Sequence, residues 1–172
     1  MGYKRGIAIT LDNMGTIASQ QGKYESANQL YKESLEILGD IEDKYGMGIS
    51  LSNQGQLALK SFEFEKAQKL HKESLMIFLE TGNKKYIVKN IFLLAQILEM
   101  KGLYKESVIL EGFICNEQEY IKYILATAEL NSYENRLLKL KEKLGDEAFS
   151  KYWEEGKKLT LDQAAELALS NE

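Results

Sequence analysis

The chain has 172 residues, 44% of them hydrophobic, and its 22 basic and 26 acidic side chains leave a net charge of −4. A domain of that length and composition buries a real core. Lysines and glutamates are interspersed, which excludes the basic patch a nucleic-acid footprint needs, and no apolar run approaches the roughly eighteen residues of a membrane span.

Proline is absent, so helices can run uninterrupted. The single cysteine, Cys115, excludes an internal disulfide framework and fits a reducing cytoplasm. Thr10, Asp12 and Asn13 break up the apolar residues near the start, which does not read as a secretory leader.

A helix is predicted from Tyr3, with Ile7, Leu11, Met14, Ile17 and Ala18 as its apolar stripe. Gly15 sits in its middle, at a cost of about 1 kcal/mol relative to alanine. Close helix packing is the expected return, because Gly55 and Ala95 stand at the same place in the following units. Gly22 stops this helix. In the next one, Ala27, Leu30, Tyr31, Ser34, Leu35 and Leu38 share one face, with Lys32, Glu33 and Glu36 opposite.

The segment Glu25 to Ile37 returns forty residues later as Glu65 to Ile77, with eight of thirteen positions identical. Its second stripe is Ala67, Leu70, His71, Ser74, Leu75 and Phe78. Likewise Ile49, Leu51, Asn53, Gly55 and Ala58 repeat Ile9, Leu11, Asn13, Gly15 and Ala18. Phe62 replaces Gly22, which weakens that turn signal, and Thr81-Gly82-Asn83 is a clear break.

A third copy keeps the offset at Ile91, Leu94, Ala95, Leu98, Gly102, Tyr104, Ser107 and Leu110. After Glu111 the match fades, although Ile121, Ile124, Leu125 and Ala128 remain helical in spacing. The tail holds a helix over 133–144 on Leu137, Leu138, Leu140 and Leu144, then an aromatic face of Ala148, Phe149, Tyr152 and Trp153. Thr160 and Gln163 form a capping-box pattern that opens the last helix.

A fixed period of this size marks stacked supersecondary units, none of which can bury its stripe alone. The expected fold is all-α. Three helix pairs cover approximately 3–43, 44–83 and 84–128 of residues 1–128, and capping helices occupy 129–172.

The pattern Leu11, Met14, Gly15, Ala18, Ala27, Tyr31, with its copy Leu51, Gln54, Gly55, Ala58, Ala67, His71, resembles the tetratricopeptide repeat in its longer, forty-residue form. The family's usual tryptophan and closing proline are missing. The tail, from Leu144-Gly145-Asp146 through Trp153 and Gly156 to Leu161-Asp162-Gln163-Ala164, is similar to the end of the helical-repeat arms of bacterial multidomain signalling and transcription regulators. The resemblance implies a right-handed α-solenoid that senses an effector or holds a partner. No phosphate-binding GxxxxGK[ST] loop of a switch domain is present.

The resemblance also implies a concave groove lined by the first helix of each unit. Its candidate binding residues are Asn13, Thr16, Asn53, Gln56, Lys89 and Gln96. An amide such as Asn13 or Asn53 both donates and accepts hydrogen bonds, which suits a peptide backbone or carboxylate. Ile9 and Ile49 stand where a lysine would help a carboxylate clamp, and only Lys89 is basic.

His71 reads as a packing residue at the slot of Tyr31, and Cys115 as a small buried hydrophobe. Trp153, Tyr152 and Phe149 read as core, and Glu99, Glu106 and Glu111 as a solvated face. No nucleophile–base pair, metal-ligand cluster or cofactor motif is found. The expected function is that of a non-enzymatic, cytoplasmic module binding a protein or peptide in the groove. The alternative is a self-associating adaptor, with a homodimer formed through the outer face of the first helix.

Overall fold

In the computed structural model, residues 2–117 and 127–171 are described, and all regular structure among them is helical. They fall into two compact units, Met1–Asn83 and Lys84–Glu172. The division falls after Asn83, so the third helix pair shares a unit with the C-terminal helices. No helix among the described residues is long and apolar enough to cross a membrane.

The first unit holds α1 (Gly2–Gln20), α2 (Tyr24–Asp40), α3 (Lys44–Lys60) and α4 (Phe64–Thr81). Helix α1 packs on α2, α3 on α4 and α2 against α3, with a smaller contact between α1 and α3. The expected stripes of α2 and α4 are the buried ones. Ala27, Tyr31, Ser34 and Leu38 are buried in α2, and Ala67, His71, Ser74, Leu75 and Phe78 in α4.

Helix α1 corrects its expected stripe. Its buried residues are Ala8, Asp12, Gly15, Ala18 and Ser19, whereas Met14 and Ile17 are 50% and 54% exposed. Small residues line the contact because the partner brings a ring: a Cβ on Gly15 would lie 2.7 Å from Cε1 of Tyr31. In the second pair the same space is filled by His71, whose Nε2 would be 2.6 Å from a Cβ on Gly55. The mid-helix glycines are therefore the price of a close ring contact.

The forty-residue period recurs in the bonds. Ser34 donates to the carbonyl of Ala8 at 2.9 Å, and Ser74 to that of Gly48 at 2.7 Å. Lys4 pairs with Asp40, and Lys44 with Glu80. Each turn closes alike, with Lys23 N–H donating to Ala18 O, Glu63 to Ala58 and Leu103 to Leu98.

This turn needs a left-handed residue, supplied by Gly22 at φ 74° and by Gly102 at φ 82°. Phe62 meets the same demand at φ 59° with its side chain 79% exposed. A side chain in that region costs about 1 kcal/mol, which glycine avoids. Phe62→Gly is therefore expected to raise stability by about 1 kcal/mol, read as a higher urea midpoint at unchanged m-value. A lower midpoint would show that the edge contact between Phe62 and Phe64 outweighs the strain.

The second unit holds α5 (Lys84–Met100), α6 (Tyr104–Asn116), α7 (Thr127–Leu144), α8 (Asp146–Gly156) and α9 (Leu161–Ser170). Ile121, Ile124 and Leu125 lie outside the described residues. Helix α7 begins at Thr127, so the expected boundary at 128/129 falls inside a helix.

Helices α5 and α6 pair, α8 and α9 pack on α6, and α9 also touches α5. Backbones approach closely where Gly112 of α6 meets Gly156 of α8. A Cβ on Gly156 would overlap the carbonyl of Ile109, and one on Gly112 that of Trp153. Leu140 is buried as expected, but Leu138 is 58% exposed, because α7 packs along only one line. Phe149 stacks on Trp153 at 5.5 Å, both half-buried. The capping box forms: Gln163 N–H donates to the Thr160 hydroxyl, and Thr160 N–H to the Gln163 side chain.

Candidate functional site

The first helices of the first two pairs, α1 and α3, border a cleft of about 220 Å³ within the first unit. Ile9 and Asn13 come from α1, and Tyr45, Ile49 and Asn53 from α3. The period sets this arrangement, because residues forty apart fall at equivalent places on successive first helices. The expected pair Asn13 and Asn53 is thereby brought to one cleft, beside the pair Ile9 and Ile49.

Two acids line the same cleft. Asp43 caps α3 by accepting the Gly46 N–H at 3.0 Å and holds the Arg5 Nε at 2.8 Å. Asp12 is only 8% exposed. Its Oδ1 accepts the Ser50 hydroxyl at 2.9 Å, and no ion pair to it is found among the described residues. Burial pushes its carboxyl up to about 6, against the lowering effect of the Ser50 and Ser34 hydroxyls.

A carboxyl whose folded pKa is raised favours the neutral form on folding. It therefore weakens the fold progressively as pH rises from about 4 through 6. Asp12→Asn keeps the acceptor for Ser50 and removes that charge. At pH 7.5 the variant is expected to be more stable by about 2 kcal/mol, after allowance for water at the cleft mouth, with the gain gone by about pH 3.5. Urea midpoints across that range check both size and sign.

The other expected binding residues are dispersed. The hydroxyl of Thr16 donates to Asp12 O at 3.0 Å and lies 3.2 Å from the Tyr31 hydroxyl, so it serves the α1–α2 contact. Gln56 is half-buried on α3 but does not line the cleft. Lys89 and Gln96 are half-buried on α5, in the second unit.

A buried charge cluster in the second unit was not expected. Glu111 is fully buried rather than solvated. The Arg136 guanidinium bonds Glu111 by Nη2 and Glu99 Oε2 by Nη1 at 2.7 Å. Tyr133 donates to Glu111 Oε2 at 2.9 Å. The guanidinium also lies over the rings of Tyr133 and Phe92, 5.3 and 5.7 Å from their centroids.

Burial pushes Glu111 above the usual carboxylate range, and the charge and bonds of Arg136 oppose that shift. Burial also raises the Tyr133 phenol, helped by the charge of Glu111. The missed signal was the period itself, since 111 is the third occurrence of the buried slot held by Tyr31 and His71. All four side chains are engaged with one another, which fits a clamp of α7 on α5 and α6.

Compared with known protein families, with curated proteins and with solved structures, the chain gives no match.

Proposed function

We propose that this chain is a non-enzymatic, cytoplasmic scaffold that holds a protein or peptide segment. In this reading its helix pairs form a right-handed α-solenoid of tetratricopeptide type. It serves as the sensing or interaction arm of a bacterial signalling regulator, as the resemblance of its tail implies. The observation that carries the binding role is the meeting of Asn13 and Asn53 in one cleft with apolar walls. Two amides held on rigid helices can bond a peptide backbone, and the neighbouring isoleucines can cover its side chains.

A random peptide library displayed on phage and panned against the chain tests this. Recovered peptides are expected to bind Asn13→Ala/Asn53→Ala at least about tenfold more weakly, which is 1.4 kcal/mol. Unchanged affinity in a folded double variant rules out the cleft.

The exposed face of α1 favours a second reading. Tyr3, Ile7, Met14 and Ile17 recur at coiled-coil spacing, all solvent-exposed, with Tyr3 at 85%. An apolar seam of that kind suits pairing with a second copy. Light scattering at rising concentration would show a dimer that Ile17→Lys abolishes. A strict monomer excludes this role.

A further inference from the structure

We propose that the α1–α3 cleft receives one lysine or arginine side chain of a partner's linear peptide segment, with Asp12 as its counter-ion. This rests on the peptide-binding reading above and names the ligand's chemistry.

The first argument is charge. Asp12 is buried, and the one cation lining the cleft among the described residues, Arg5, is held by Asp43 at 2.8 Å. Asp12 keeps a hydroxyl bond from Ser50, a partial partner for a full charge. A cation entering the cleft supplies what is missing.

The second argument is the repeat. The slot of Asp12 is Ser52 in the next copy and Phe92 in the third. Both are buried, so the architecture accepts a small or an apolar residue there. The carboxylate belongs to one copy, the one whose slot opens on the cleft, and a costly buried charge without a structural requirement marks a working site.

The third argument is size. A cleft of about 220 Å³ lies below the roughly 300–1,000 Å³ of small-molecule sites and suits a single long side chain. The stem of that side chain would lie along Ile9 and Ile49, as amphipathic side chains prefer. Asn13 and Asn53 would hold the flanking backbone.

Binding then requires Asp12 to be ionised. The side chains acting on it are the hydroxyls of Ser50 and Ser34 and the phenol of Tyr31, and the other titratable groups lining the cleft are Arg5, Asp43 and Tyr45. Affinity for a cationic peptide is expected to rise between pH 5 and 7.5, as the Asp12 carboxyl ionises.

The test uses the full chain and the peptides recovered by panning. Each is resynthesised with its arginine replaced by citrulline, or its lysine by norleucine, which keep shape and remove charge. The expected loss is tenfold or more on the parent chain and less than twofold on Asp12→Asn, a variant that keeps the fold. Binding that depends on Asn13 and Asn53 but ignores both changes overturns this inference and leaves the peptide-binding reading standing. Recovery of no peptide overturns both. Equal binding of free arginine amide would make the cleft a small-molecule site and overturn the peptide as occupant.

Discussion

Arg136→Met is expected to cost the second unit about 3–5 kcal/mol, because it strands the carboxylate of Glu111 in a fully buried place. The loss should depend on pH in a definite sense. With its cation removed, Glu111 folds with a still higher pKa, so the variant is least unstable in acid and weakens as pH rises through that value. Adding Glu111→Leu removes the stranded charge and is expected to recover most of the loss, since an apolar pair often replaces a buried ion pair without penalty. Thermal unfolding by circular dichroism at pH 5 and pH 8 measures both effects. A single variant that is equally unstable at the two pH values would show packing of the guanidinium on Phe92 and Tyr133 to be the larger contribution.

Gly156→Ala is the second large effect. One methyl group at this position falls on the carbonyl of Ile109, in the backbone of the partner helix. No rotamer change relieves a contact with backbone, so α6 and α8 must separate. The gain of about 1 kcal/mol in helix propensity is outweighed by at least about 3 kcal/mol of overpacking. Gly39→Ala is the control: it lies in α2, and its added methyl meets open space. A Gly156→Ala variant as stable as the parent would mean that the α6–α8 crossing can open at little cost.

Much of this was legible in the residues, and the failures have physical causes. The stripe of α2 and its copy in α4 could be read because large apolar residues face the core there. On α1 the same rule pointed the wrong way: Gly15 and Ala18 make the contact so that Tyr31 can enter, and Ile17 is left outside. Hydrophobicity identifies the core face only when the neighbouring helix does not demand small residues.

Glu111 was misread for a related reason. Its charge suggested solvent, but its place in the period fixed it as buried, and a cation 25 residues away supplied the compensation. The asparagine pair of the cleft was visible through the repeat. Asp12 was not, because in sequence it is one acid among many, and only burial distinguishes it.

The pairing of neighbours in the first unit also sets a clock. Its interhelical bonds join residues close along the chain, such as Ser34 with Ala8 and Ser74 with Gly48, each 26 residues apart. Short-range topology lets a search end in milliseconds or less. A chain without proline has no prolyl isomerisation to wait for. Stopped-flow refolding should therefore lack any phase of tens of seconds, and a nascent chain would acquire each hairpin almost as soon as its second helix is available.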